Sequence, residues 1–206
     1  MLISVLAVGN PEYKNDSIDV LKDYFERNSL RYNFIENTPE IEVKGSHPSW
    51  WKLICHRIYK NEDYILNWDL DLLPTNKNTK FHEFTDLNKI GMSWDVQARY
   101  FPNDRFNNNF RYNGGLIGIP KSLSQFTENV FDTFAPGTRP SYEQYYLNDE
   151  IVKNNIDILE FPDDANFLYR DNTPELLQKF YDARFKHYSC QNREKLISAH
   201  RENYFR

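Results

Sequence analysis

Apolar and polar positions alternate in blocks over the first third of the chain. Leu2 to Val8 is a nearly unbroken apolar run, the pattern of a buried strand. Asn10-Pro11 predicts a turn, and Asp16 or Ser17 caps a helix with Ile18, Leu21 and Phe25 on one face. Leu30 to Ile35 reads as a second strand. Ser49 then precedes a helix through Trp50, Leu53, Ile54, Cys55 and Ile58, and Tyr64 to Trp68 is the next strand. Trp50 and Trp51 read as core or helix-packing residues, the common fate of large aromatics at a helix start. Strand and helix in alternation predict an α/β fold, with a mostly parallel, mixed central sheet flanked by helices.

The second half is less regular. Met92 to Gln97 and Asn113 to Ile119 read as strands, separated by Arg99 to Arg111, a stretch rich in Asn and Arg without periodicity. Long loops of that kind in compact domains are often functional. A helix is predicted over Tyr142 to Lys153, a short strand over Ile156 to Phe161 and a C-terminal helix over Glu194 to Asn203. No repeat or linker divides the chain, so residues 1–206 are expected to form a single domain.

Composition narrows the function. The net charge is −5, and no dense Lys/Arg run tracks a phosphate backbone, which argues against nucleic acid as a partner. Cys55 and Cys190 lie far apart without metal spacing and read as structural thiols of a reducing compartment. Met1 to Gly9 lacks a basic n-region, and no stretch reaches the roughly 20 apolar residues of a membrane helix. The expectation is a soluble, cytoplasmic protein, acting in the host cytoplasm if virus-encoded.

The most informative chemistry lies at the end of the third strand. Tyr64 to Pro74 delivers Asp69 and Asp71, two carboxylates one residue apart, where the chain leaves the sheet. Both side chains can turn toward one ion, and Mg²⁺ or Mn²⁺ favours such oxygen ligands while keeping positions open for substrate phosphates. An acidic strand exit capped into a turn is the plain alternative. In open α/β sheets ligands bind beyond the carboxyl ends of the strands, so Val8-Gly9-Asn10 opens on the same crevice, with Tyr13 able to stack on a planar ring or to pack as a surface aromatic. Asn113-Gly114-Gly115 reads either as a hairpin turn or as a place where glycine admits a ligand close to the backbone.

These residues resemble the glycosyltransferases of the GT-A fold, and within them the retaining, metal-dependent group of bacterial galactosyltransferases and glycogenin-like enzymes. Asp69-Leu70-Asp71 is similar to the family's Asp-x-Asp, and Lys52, seventeen residues earlier, stands where the family carries a basic residue. Tyr112 to Leu116 resembles the family's aromatic-Asn-Ala-Gly-aliphatic segment. Glu143 to Asn148 resembles its Asp-Gln-Asp-x-Leu-Asn helix start, and His187 to Arg193 its His-x-x-Gly-x-x-Lys segment. The resemblance implies a single Rossmann-like GT-A domain, with a nucleotide-binding part over about 1–75 and a sugar and acceptor part over about 76–206, that moves a hexose or deoxyhexose from a nucleotide sugar, a UDP-sugar foremost, to a glycan or glycoprotein acceptor. It implies that Asp69, Asp71 and His187 hold Mn²⁺ or Mg²⁺, and that Lys52 and Arg193 contact the diphosphate. Asn10 and Tyr13 would then meet the nucleoside, and Asn113, Gly114, Glu143 and Gln144 the sugar.

The chain departs from the family where Cys190 replaces Gly, Arg193 Lys, Tyr145 an Asp and Asn10 an Asp, differences that bear on the donor's identity. The Glu143-Gln144 match points to retention, with Gln144 close to the reacting carbon. An inverting course would need a carboxylate base, for which Asp149, Glu150 and Asp95 are candidates. Trp94-Asp95 and the Arg99 to Arg111 loop are candidates for acceptor contacts. Read alone, Lys52 is equally a solvated helix residue, His187 a partly buried structural histidine and Arg193 a helix cap. Two other functions stay open: a metal-dependent phosphohydrolase or phosphotransferase, and a non-catalytic nucleotide-sugar or glycan-binding module.

Overall fold

The computed structural model describes residues 1–39, 47–81, 85–95, 99, 111–134, 142–169, 174–189 and 192–206. A six-stranded mixed sheet forms its centre. The strands are β1 (Leu2–Leu6), β2 (Tyr32–Ile35), β3 (Tyr64–Asp69), β5 (Ile90–Trp94), β6 (Tyr112–Pro120) and β7 (Ile158–Phe161), in the order β2-β1-β3-β6-β5-β7. Neighbours pair in parallel except at β6, which runs against both β3 and β5. A small second sheet, absent from the sequence reading, joins β4 (Leu72–Pro74), β9 (Phe185–His187) and β8 (Phe167–Leu168) in the order β4-β9-β8.

Period-two alternation divides the core between the two faces of the large sheet. Ile3 and Val5 of β1, Leu66 and Trp68 of β3 and Leu116 of β6 pack on one side, against α1 (Lys14–Arg27), α5 (Pro174–Asp182), α6 (Arg193–Phe205) and the small sheet. Ile65 of β3 and Ile117 and Ile119 of β6 pack on the other, against α2 (Trp51–Ile58), α3 (Ser124–Thr133) and α4 (Glu143–Lys153). Trp50 and Trp51 belong to that second layer. Trp50 sits in a single turn of 3-10 helix before α2 and stacks on Phe134 with ring centroids 3.9 Å apart.

Several local expectations shift. Helix α1 starts at Lys14, whose amide bonds the Pro11 carbonyl at 2.9 Å, so Asp16 and Ser17 lie inside the helix and cap nothing. Gly9, at a φ of +81°, turns the chain early enough for that start. Asn113-Gly114-Gly115 is the interior of β6, not a hairpin turn. β5 ends at Trp94; residues 96 and 97 of the expected strand lie outside the described residues, as do Cys190 and residues 100–110 of the Asn-rich loop. Helices α3 and α5 were not anticipated.

Candidate active site

The site is assembled where β3 hands over to β4. Asp69 is the last residue of β3, beside Leu6 of β1, and Asp71 directly precedes β4. The Trp68 indole donates to the Leu72 carbonyl at 2.7 Å, closing the bend between the two carboxylates while Leu70 is buried in the core. The antiparallel pairing of β4 with β9 then sets Leu72 opposite His187, and the Tyr188 amide continues the ladder to the Asp71 carbonyl at 2.9 Å. A histidine more than a hundred residues later in the chain is thus fixed against the Asp-x-Asp. One ligand atom from each of Asp69, Asp71 and His187 lies within 4.8 Å of the others.

Each carboxylate is held by a cation on one oxygen. Lys52 Nζ lies 2.6 Å from Asp69 Oδ1, and Arg193 lies 3.1 Å from Asp71 Oδ2. The remaining oxygens meet His187 Nε2, Asp71 Oδ1 at 3.2 Å and Asp69 Oδ2 at 3.9 Å. Burial pushes Asp71 toward protonation, but His187 and Arg193 outweigh it and hold the carboxyl down at about 2. Burial carries Asp69 the other way, above the ordinary carboxylate value; Lys52 opposes the rise and the Asp71 charge adds to it.

Lys52 is not the solvated helix residue that its sequence also allowed. It is 2% exposed and donates to the Gly114 carbonyl at 2.7 Å and Glu143 Oε1 at 3.2 Å, besides pairing with Asp69. Three acceptors match the three hydrogens of an ammonium group. Burial alone would lower its pKa, but Asp69 and Glu143 raise it above the ordinary lysine value. Gly114 also donates its amide to Gln144 Oε1 at 3.0 Å, so one residue of β6 meets both α2 and the start of α4. A Cβ at Gly114 would come 2.8 Å from Glu143 Oε1, and one at Gly115 would come 2.5 Å from His187 Cε1. Glycine is needed here for close approach. Farther along α4, Asn148 clamps the helix to β6 by accepting from the Tyr112 amide at 2.9 Å and donating to its carbonyl at 3.0 Å.

These groups line a cavity of about 580 Å³ at the carboxyl ends of β1 and β3. Of the residues singled out in the sequence, Tyr13, Lys52, Asp69, Asp71, Asp95, Asn113, Gly114, Glu143, Gln144, His187 and Arg193 face it. Tyr13 lies under the Arg193 guanidinium, 5.5 Å from its ring centre, and burial with the Asp71 charge pushes its hydroxyl up to about 12. Asn10 is exposed and does not line the cavity, where Val8 and Pro11 do instead. Asp149 and Glu150 lie outside it too, since six or seven helical residues carry them roughly 10 Å along α4 from Glu143. Arg99 pairs with Asp163 and lies 5.7 Å from the Trp94 ring centre. Sequence reasoning assigned no role in the site to His47, Ser49, Tyr142 and Leu168 on the walls, to Ser189 at an unspecified position of the His187 to Arg193 segment, or to the buried Asn166.

No protein-family model matches the chain, and no curated protein matches it by sequence. Solved structures do match. A glycosyltransferase involved in the glycosylation of the major capsid of PBCV-1 superposes with a TM-score of 0.68 at 16% identity, covering 96% of this chain and 100% of that one. The galactosyltransferase LgtC, in complex with donor and acceptor sugar analogues, superposes with a TM-score of 0.62 at 13% identity, over 100% of this chain and 97% of LgtC. The glycosyltransferase GlyE of Streptococcus pneumoniae gives 0.62 at 14% identity, over 97% of this chain and 59% of GlyE. The described chain is similar to these glycosyltransferases along nearly its whole length, and its fold is the GT-A fold.

Proposed function

We propose that the protein is a metal-dependent glycosyltransferase that moves a hexose or deoxyhexose from a nucleotide sugar, a UDP-sugar foremost, to a glycan or glycoprotein acceptor with retention. The observation that carries this reading is the convergence of Asp69, Asp71 and His187 on one wall of a 580 Å³ cavity, in a fold whose solved neighbours are glycosyltransferases. Two carboxylates and an imidazole suit Mn²⁺ or Mg²⁺ chemically, and the two oxygens that Lys52 and Arg193 leave free are those nearest His187. A divalent ion bound there supplies positive charge against the leaving diphosphate.

The chain's own residues do the rest. Arg193, which keeps 38% of its side chain exposed, offers a planar fork to phosphate oxygens and covers Tyr13, against which the base stacks. Lys52 keeps Asp69 and Glu143 in place from the cavity wall that meets the diphosphate. Gln144 and the Asn113-Gly114 peptide border the sugar, and the glycine lets the donor come against the backbone. Asp149 and Glu150 lie off the cavity and Asp95, which faces it, is engaged by the Asn113 amide, so in this reading the acceptor hydroxyl gives its proton to the leaving phosphate, the retaining course.

The test is a thermal-shift panel of UDP-, GDP-, TDP- and CMP-sugars with and without Mn²⁺. Ligand at about 100 times its dissociation constant stabilises the fold by roughly 2.7 kcal/mol. Stabilisation by one nucleotide family only with metal present supports the reading and names the base. No metal-dependent shift with any donor overturns it in favour of a phosphohydrolase or a binding module.

A further inference from the structure

We infer that Asn166 is a positioning residue that holds the His187 imidazole with its hydrogen on Nδ1, leaving Nε2 free to ligate a cation; this rests on the metal-site reading above. Asn166 ends a short 3-10 turn just before β8, whose parallel pairing with β9 sets Leu168 beside His187. Asn166 is 1% exposed and His187 4%. His187 Nδ1 and Asn166 Oδ1 are both buried without a hydrogen-bond partner, and both press on Gly115. A Cβ at that glycine would lie 2.6 Å from the first and 2.9 Å from the second. A buried ring nitrogen and a buried amide oxygen thus border the same gap, which only glycine leaves open.

The amide orientations follow from one fixed end. A carboxylate oxygen accepts, so Asp95 Oδ2, 3.3 Å from Asn113 Nδ2, settles which way the Asn113 amide points. Its Oδ1 is then turned to the Gly115 amide at 2.7 Å and to Asn166 Nδ2 at 3.0 Å. With Nδ2 committed to Asn113, Asn166 turns Oδ1 to the gap at Gly115 that His187 Nδ1 also borders. The chain of groups runs from Asp95 through Asn113 and Asn166 to His187, and ends at the carboxylates of Asp69 and Asp71. An imidazole that gives its Nε2 lone pair to a cation carries its hydrogen on Nδ1, and groups that accept that hydrogen govern the affinity of metal sites.

The experiment is Mn²⁺ titration calorimetry, without donor, on the unaltered protein and Asn166→Leu, with urea unfolding of both metal-free forms. Mn²⁺ affinity is expected to fall roughly tenfold to a hundredfold in the variant. A variant that binds Mn²⁺ as tightly as the unaltered protein overturns the role of Asn166 and leaves the metal site standing. If the unaltered protein itself binds no Mn²⁺, the metal reading falls and this inference with it. Should Asn166→Leu not fold, long-range proton-nitrogen spectra of the unaltered protein loaded with Mg²⁺ decide the matter. A slowly exchanging, low-field Nδ1 hydrogen on His187 supports the inference; its exchange at the rate of an exposed imidazole overturns it.

Discussion

Lys52 and Asp69 form a pair in which Nζ takes Oδ1 at 2.6 Å while His187 approaches the other oxygen. The same ammonium also reaches Glu143, so it neutralises part of a buried acidic cluster from α2. Lys52→Met keeps the apolar stem and deletes the charge. Removing one partner of a buried ion pair is strongly destabilising, here by roughly 3 kcal/mol since Asp69 is 24% exposed and solvent softens the loss. Urea unfolding measures it; unchanged stability would mean the carboxylates are held without Lys52.

Asp71 is the carboxylate best prepared to meet a cation, because His187 and Arg193 keep it ionised far below neutral pH. Asp71→Asn preserves shape and the backbone bond from Tyr188 while removing the charge. Donor affinity in the presence of Mn²⁺ should fall by more than about tenfold, a loss of 1.4 kcal/mol or more, and chelating the metal from the unaltered protein should do the same. Calorimetry giving equal affinities would take Asp71 out of the metal site.

How much of this was legible follows from how local each signal is. Asp69 and Asp71 are separated by a single residue at a strand end, and the strands around them are long enough for periodicity to show, so both the motif and the α/β architecture could be read. The small sheet could not, since β4 and β9 have three residues each and β8 two, too few for any pattern. That sheet is what sets His187 beside Asp71, so the geometry of the third proposed ligand rests on pairings the sequence does not display. Asn166 belongs to no motif, and its setting depends on Asn113, 53 residues away. Helix α5 did leave a signal, Pro174 at its first position with Leu176 and Phe180 four apart on its buried face.

Gln144 receives the Gly114 amide at the rim of the cavity, where the proposed reaction takes place. Gln144→Ala should lower kcat by about a hundredfold while changing the donor Kd little, the pattern of a group used chiefly in the transition state. Steady-state kinetics beside donor calorimetry separate the two. Equal losses in both would make Gln144 a binding residue.

Gly91 and Gly118 pair across β5 and β6 and together form a slot for the ring end of Tyr64. A Cβ at Gly118 would collide with the Tyr64 hydroxyl, which is buried without a partner. Gly118→Ala should therefore cost about 1–3 kcal/mol through overpacking. Adding Tyr64→Phe removes the obstructing oxygen and should recover part of that loss, a coupling that a double-mutant cycle in urea measures. Purely additive effects would show that the strain lies elsewhere.

His200 ties α6 to both neighbours of the site. Its Nε2 donates to the Pro74 carbonyl at 2.8 Å, since a carbonyl only accepts, and its Nδ1 therefore accepts from the Tyr188 hydroxyl at 2.8 Å. Both bonds belong to the neutral ring. Burial lowers its pKa from the ordinary 6.5 to about 4, with the Pro74 carbonyl opposing and Lys186 assisting. The unfolded chain thus binds the proton more tightly than the folded one. The stability that His200 contributes is complete above about pH 6.5 and is lost as the pH falls toward 4. Between about pH 7 and pH 4.5 the loss amounts to roughly 2.5 kcal/mol. His200→Gln keeps a donor for Pro74 but cannot titrate, so unfolding across that range should show a shallower decline than in the unaltered protein. Parallel curves for the two would assign the acid sensitivity to other groups.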